Sequence, residues 1–340
     1  MMNIQKSHSL SGPVLLTILL FIAPLVMPTY WVILLSEILI MGLMAVSFNL
    51  LLGYTGLLSF GQGAFFGIGA YSAALMLQAG HENLFLILLA GMLVPLLAAL
   101  VVGFFSVRLD EIFFAMITLG FGMLFFSIAH SWIDVTGGSD GLPVFALPGL
   151  NLFGVVQLTF YAPISMYYLI FVTVLICVCL LRMIVHSPFG LILKAMRENK
   201  QRVSYAGGNV RVLRIAAFAI SGAFTGLAGV LFCLFNNMAT PEFMHWSFSA
   251  KPVIMSVIGG TGVFLGPLFG AGVFFILEQI IIQFTENWMF FLGIVLVPIV
   301  LFFPEGVFGT LRNKFYKVAG RGLQPPSARG KRQKNEKGTV

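Results

Sequence analysis

Side chains able to do covalent or metal chemistry are scarce in this sequence, and none falls into a catalytic spacing. The three cysteines, Cys177, Cys179 and Cys233, lie in apolar stretches. Cys177 and Cys179 are two positions apart, so on a helix they point to nearly opposite faces and cannot bridge; their spacing fits no metal site. The five histidines (His8, His81, His130, His186 and His245) sit in loops or at the ends of apolar runs, without ligand-like clustering. No G-x-x-x-x-G-K-[ST] phosphate loop, H-E-x-x-H or C-x-x-C occurs. ATP binding through such a loop is excluded, and no residue set points to an enzyme, a metal or a cofactor.

What remains is sparser chemistry. Glu37 and Glu278 stand inside apolar runs, without buried basic partners in view. Ionisable groups at membrane depth often mark proton or ion paths; near the end of a span they read equally well as hydrated helix-end residues. Asn49, Ser59, Gln62, Thr118, Asn236 and Asn237 are polar positions that suit either a transport pathway or helix–helix hydrogen bonds. Two stretches of G-x-T-G type, Gly53-Tyr54-Thr55-Gly56 and Gly259-Gly260-Thr261-Gly262, lie one in each half of the chain. Glycine breaks free backbone groups, which at membrane depth are tolerated only against protein or a wet cavity. Matching interruptions in two halves often flank a transport path. Small residues such as Gly63, Gly67 and Ala70 also let helices pack closely, and both uses stay open for each glycine.

The elements that must position these residues are transmembrane helices. Of 340 residues, 59% are hydrophobic and 9% are Asp, Glu, Lys or Arg, against about 25% charged in soluble domains. Mean hydropathy is +1.00. A span needs about 20 apolar residues, since a helix rises about 1.5 Å per residue across about 30 Å of hydrocarbon. Apolar runs predict an all-α bundle of about ten spans, near 13–29, 31–52, 58–77, 84–107, 112–130, 162–182, 212–237, 252–265, 267–285 and 288–304. The stretch 252–285 is long for one helix and short for two, so it is expected to form two short spans or a re-entrant pair. The first run lacks a small-residue cleavage pattern, which favours a helix over a removed signal peptide.

Charge orients the bundle. Seven of the 19 Lys and Arg residues fall between Arg182 and Arg214, and nine between Arg312 and Lys337. Such clusters are expected in cytoplasmic segments, so the net +7 reflects topology and not nucleic-acid binding. Residues 131–161 carry Asp134 and Asp140 but no Lys or Arg, which puts that loop outside. With ten spans, both termini lie inside and Lys251 alone among the basic residues falls outside. The expected organisation is a cytoplasmic segment 1–12, a permease domain 13–310 with a coupling loop near 183–211, and a basic tail 311–340.

That loop predicts a short cytoplasmic helix over Leu191–Ala206, free of glycine and proline and stopped by Gly207-Gly208. It mixes Lys194, Arg197, Glu198, Lys200 and Arg202 with Leu191, Leu193, Ala195, Met196 and Val203. This suits docking into a groove on a soluble partner as well as it suits a solvated linker.

Five ordered blocks carry a family resemblance: Asn49–Tyr71, Thr136–Gly141, Ala195–Asn199, Ala217–Gly229, and Gly259–Gly262 with Gly266-Pro267 and Gly270-Ala271, followed by Pro304-Glu305-Gly306. The chain resembles, over nearly its whole length, the permeases of branched-chain amino acid ABC transporters, specifically the second of their two permease types. The resemblance implies an importer subunit of the bacterial inner membrane, paired with a second homologous permease, two cytoplasmic ABC ATPases and a periplasmic substrate-binding protein. It implies no cofactor and no enzymatic activity, and ATP hydrolysis on separate subunits. Ala195, Arg197, Glu198, Asn199 and Gly207 then belong to an ATPase-coupling helix. Asn49, Gly53, Gly56, Ser59, Gln62, Gly259, Gly260, Thr261 and Gly262 become candidate pathway positions or helix breaks. After Asn199 the chain departs from the family's alanines with Val203, Ser204 and Tyr205. Related permeases carry urea or other small amides and carboxylates; a stand-alone secondary transporter is the reading from another class.

Overall fold

The apolar runs fold as helices. The computed structural model describes residues 11–81, 83–109, 111–145, 150–152, 156–158, 162–285, 287–302, 306, 309 and 310. Its helices are α1 (Ser11–Val26), α2 (Thr29–Asn49), α3 (Gln62–Gln78), α4 (Leu84–Ser106), α5 (Glu111–Ser131), α6 (Ile133–Thr136), α7 (Pro163–His186), α8 (Pro188–Glu198), α9 (Lys200–Tyr205), α10 (Val210–Asn236), α11 (Trp246–Gly259), α12 (Gly266–Ile282) and α13 (Trp288–Phe302). Ten of them overlap the ten expected apolar runs. The segments Thr29–Thr55, Leu84–Ser106, Ile112–Ser131, Pro163–His186 and Val210–Asn236 are each long and apolar enough to cross a membrane. The chain is therefore a multi-pass α-helical membrane bundle. The segment 1–12, apart from its last two residues, and the tail 311–340 lie outside the described residues, as do Pro304 and Glu305.

Helix α10 forms the centre, packed against α2, α3 and α4. Small residues let the backbones touch. A Cβ on Gly69 would overlap the Gly226 carbonyl, and one on Gly229 would overlap the Phe66 carbonyl. We expect Gly69→Ala to destabilise the protein by about 1–3 kcal/mol through overpacking, seen as a lower Tm in detergent; an unchanged Tm would mean that this seam relaxes freely. The outward faces of α4 and α5 instead present Phe85, Leu97, Val101, Ile112 and Met116, as a lipid-facing surface requires.

A second group joins α2 to α7, α11 and α12. Residues 252–285 resolve into the end of α11 and the whole of α12, separated by a turn at Gly260–Leu265. With 14 and 17 residues, α11 and α12 are about 21 and 26 Å long. One boundary corrects expectation. Helix α11 starts at Trp246, with the His245 ring accepting from Ser247 N, and Pro252 sits inside it. Lys251 is consequently a helix residue within the bundle, not a residue of an outer loop. At one end of the bundle two loops are tied by strand pairing, β1 (Leu142–Pro143) with β4 (Met238–Ala239). The hairpin of β2 (Leu150–Leu152) and β3 (Val156–Leu158) lies in the same connection as β1.

Candidate functional site

Both G-x-T-G stretches are helix breaks, and they meet. Helix α2 passes at Leu50 into a six-residue π-helix, Leu50–Thr55. Its end is closed by Gly56, whose φ of 76° belongs to glycine and whose N–H returns to the Leu51 carbonyl. The Thr55 hydroxyl also donates to Leu51 O at 2.7 Å. The chain then runs without helix to Gly61. In the second break α11 stops at Gly259 and Gly260 takes a φ of 97°. The backbone of Gly306 packs directly on Gly260. A Cβ added to Gly53 would lie 2.6 Å from the Thr261 carbonyl oxygen and would overlap the Asn49 side chain. The first break thus touches the second across almost the whole sequence separation. Asn49 is 1% exposed, and neither its Oδ1 nor its Nδ2 has a hydrogen-bond partner among the described residues.

The charged loop helix reaches this junction. Arg197 Nη1 donates to the Gly53 carbonyl at 2.5 Å. Lys194 Nζ stands 5.0 Å from the centre of the Tyr54 ring. Gly56 lies under the Arg197 stem, where a Cβ would come within 3.2 Å of Cγ. Leu193 and Met196 turn inward, whereas Leu191, Ala195, Glu198 and Tyr205 are exposed. The single helix expected over Leu191–Ala206 is in fact two. Asn199 adopts an extended conformation, φ −158°, and its Oδ1 accepts from Gln201 N and Arg202 N at 3.0 Å, capping α9. An Asn side chain competes with the helical backbone and favours the N-cap, which splits the segment. Gly207 ends it with φ +86° and nothing within 4 Å of a Cβ position. Asn199→Ala should remove about 1 kcal/mol of local helix stability, measured as faster amide exchange across 200–205; unchanged exchange would exclude the cap as the cause of the split.

The other polar candidates separate clearly. Gln62 belongs to a closed network: its Nε2 donates to Ser221 Oγ at 3.3 Å, its Oε1 accepts from Thr225 Oγ1 at 2.8 Å, and Thr225 Oγ1 lies 2.8 Å from Ser47 Oγ. Ser221 in turn donates to Ser47 O. Gln62 thus joins α2, α3 and α10. Ser59 Oγ accepts from Gly61 N, and Thr118 Oγ1 accepts from Phe60 N, so both hold the non-helical segment in place. Asn236 and Asn237 are exposed, Asn237 ending α10 at φ 54°. Gly262 is exposed with nothing within 4 Å of a Cβ position. Ser47, Ser221, Thr225 and Ser256 were not singled out from the sequence, although their signal is simple: hydroxyls inside otherwise apolar runs. Ser256 donates to the Ala45 carbonyl and joins α11 to α2 just above the junction.

Comparison with known proteins agrees over most of the chain. The family described as branched-chain amino acid transport system / permease component matches residues 30–300. The high-affinity branched-chain amino acid transport system permease protein LivM of Salmonella typhimurium is 26% identical over 297 residues, covering 82% of this chain and 70% of the relative. The probable branched-chain amino acid transport permease LivM of Methanocaldococcus jannaschii is 27% identical, covering 82% and 89%. The autoinducer 2 import system permease LsrC of Yersinia pseudotuberculosis is 27% identical, covering 71% and 67%. No solved structure matches.

Proposed function

The chain belongs to the branched-chain amino acid transport system permease family, and from that premise we propose that it forms half of the membrane path of an ATP-driven importer for branched-chain amino acids. Members of the family are transport subunits of ABC transporters, which work with further subunits and are not themselves enzymes. In the proposed assembly this chain pairs with a homologous permease, two cytoplasmic ATPases and a periplasmic binding protein. It sits in the inner membrane with ten spans and both termini in the cytoplasm. The basic residues of the α7–α10 connection and of the tail support that orientation. The permease domain is taken as 13–310.

The observation that carries the reading is the hydrogen bond from Arg197 to the Gly53 carbonyl. It links a helix outside the bundle to a break inside it. We read α8 and α9 as the surface that meets an ATPase, with Leu191 at 61% and Tyr205 at 87% exposure supplying apolar contact. When the ATPases close on ATP, displacement of α8 acts through Arg197 on the end of α2. Because Gly53 touches Thr261, the same displacement reaches α11 and α12. Glycine on both sides keeps the junction able to re-form in a second arrangement, which alternating access requires. Asn49, whose amide has no hydrogen-bond partner among the described residues, is the side chain at this inner gate best able to meet a passing polar substrate.

Relatives of equal identity whose names specify autoinducer 2 favour a second reading for the cargo, another small polar molecule on the same machinery. Purification in mild detergent with mass spectrometry of the co-purifying chains tests the assembly. ATP-dependent uptake of leucine, valine, urea and autoinducer 2 by the reconstituted complex tests the cargo. Recovery of a second permease and ATPases with leucine uptake supports the proposal. A chain that purifies alone and transports without ATP overturns it.

A further inference from the structure

Far from the inner junction, three packed helices each carry one ionisable side chain within electrostatic range of the other two. Glu37 is on α2, Lys251 on α11 and Glu278 on α12, and these helices pack against one another. Lys251 lies within electrostatic reach of both carboxylates, and Glu37 and Glu278 of each other. Lys251, which the sequence places in an outer loop, is the basic residue within electrostatic range of both acids. That neighbour was hidden because α11 begins before Lys251. Counted along the helices at 1.5 Å per residue, Glu37 stands about 24 Å above Gly53, Lys251 about 12 Å above Gly259 and Glu278 about 18 Å above Gly266. All three thus lie on the side of the bundle remote from the glycine junction. Nearer the same end, Tyr30 Oη donates to Gln279 Oε1 at 2.8 Å, joining the mouths of α2 and α12.

Burial divides the cluster. Glu278 is 8% exposed, and its Oε2 is fully buried without a hydrogen-bond partner among the described residues. Glu37 and Lys251 are half-buried, with the Lys251 ammonium 5.3 Å from the centre of the Phe248 ring. A buried carboxylate oxygen with no donor carries a large desolvation cost. Ionisable groups at this depth face a bundle interior or a wet cavity, not lipid. The half-exposed sides of Glu37 and Lys251 consequently mark a hydrated face. Its chemistry is mixed in sign, with two acceptors of an ammonium beside one donor to a carboxylate. A cation or anion alone would be matched by one sign. A zwitterion needs both.

We propose that Glu37, Lys251 and Glu278 form an outer reception site for a free zwitterionic amino acid, with Glu278 and Glu37 taking the ammonium and Lys251 the carboxylate. The inference rests on the importer reading above and adds to it the part of the path that recognises the cargo's charged ends. Three charges shared among packed helices hold the cargo only in passing, as an import path demands. The aliphatic side chain needs no polar partner there.

The test uses the complete importer in proteoliposomes with leucine-loaded binding protein. We expect Glu278→Gln and Lys251→Met each to lower leucine moved per ATP hydrolysed by about tenfold, the loss of one charged hydrogen bond of about 1.5 kcal/mol. Glu278→Asp and Lys251→Arg, which keep the charge, should restore most of it. In a chain lacking its three cysteines, Glu37→Cys should react with a membrane-impermeant maleimide from outside, and leucine-loaded binding protein should slow that reaction. If the neutral variants transport leucine as wild type does, or if the thiol introduced by Glu37→Cys is sealed from the reagent, the reception site is wrong while the importer reading stands. If the neutral variants fail to assemble and the Glu278→Gln/Lys251→Met double variant assembles again, the three groups are a structural ion cluster and the proposal falls. If the wild-type complex hydrolyses ATP and moves no amino acid, the importer reading fails and the reception site with it.

Discussion

Arg197→Ala is expected to lower ATP-driven leucine uptake by about tenfold in the reconstituted complex, with the partner subunits still co-purifying. The magnitude follows from the bond lost. A charged donor to a carbonyl contributes about 1.5–3 kcal/mol, and partial exposure sets it at the lower end. Arg197 makes the direct hydrogen bond between α8 and the broken end of α2, beside the contact of Lys194 with the Tyr54 ring, so its removal weakens the pull of α8 on Gly53. ATP hydrolysis then continues while transport falls. Lysine is a poor replacement, because the guanidinium reaches Gly53 while its stem lies over Gly56, a placement that depends on a planar fork. A variant that loses its ATPases would instead reveal a docking residue, and one with wild-type uptake would remove Arg197 from the coupling path.

The two G-x-T-G stretches answer differently to the same substitution. Gly53→Ala pushes a methyl group against the Thr261 carbonyl, at 2.6 Å, and into the Asn49 amide. Neither neighbour is the flexible end of a long side chain. One is the backbone of the other break and the other is a buried, short side chain. Overpacking of this kind costs about 1–3 kcal/mol, and it acts on a contact through which the breaks touch. Leucine uptake should drop more than tenfold, with a lowered Tm. Gly262→Ala meets open space and should transport within about twofold of wild type, since surface substitutions away from special features change little. Measured side by side, equal behaviour of the two variants would remove the junction as a moving part.

Much of this arrangement is readable from periodicity and composition. Each of the ten apolar runs overlaps a helix, five of them in segments long and apolar enough to cross a membrane, because apolar length is a local property. Gly53–Gly56 and Gly259–Gly262 announced themselves as breaks, and the charged loop as a helix, for equally local reasons. Asn199 shows a signal that was present and passed over: an N-cap residue in the middle of a helix former's sequence. Helix α11 begins at Trp246, six residues before the expected run, because Ser247, Ser249 and Lys251 interrupt the apolar signal without interrupting the helix. What no local pattern could give is which remote atoms face each other. The contact of Gly53 with Thr261, the reach of Arg197, the network around Gln62 and the company of Lys251 with Glu37 and Glu278 all join residues far apart in the chain.

The π-helix at the end of α2 gives the junction a mechanical character of its own. A π turn closes its hydrogen bonds one residue later than an α turn, so it stores one residue of slack in the helix. Taking up that residue into α geometry turns everything beyond it by about 100° and advances it by about 1.5 Å. In the proposed coupling, an axial pull on Gly53 would draw on that residue of slack and turn the segment leading to α3, so that a small stroke at the rim of the bundle becomes a swing at its centre.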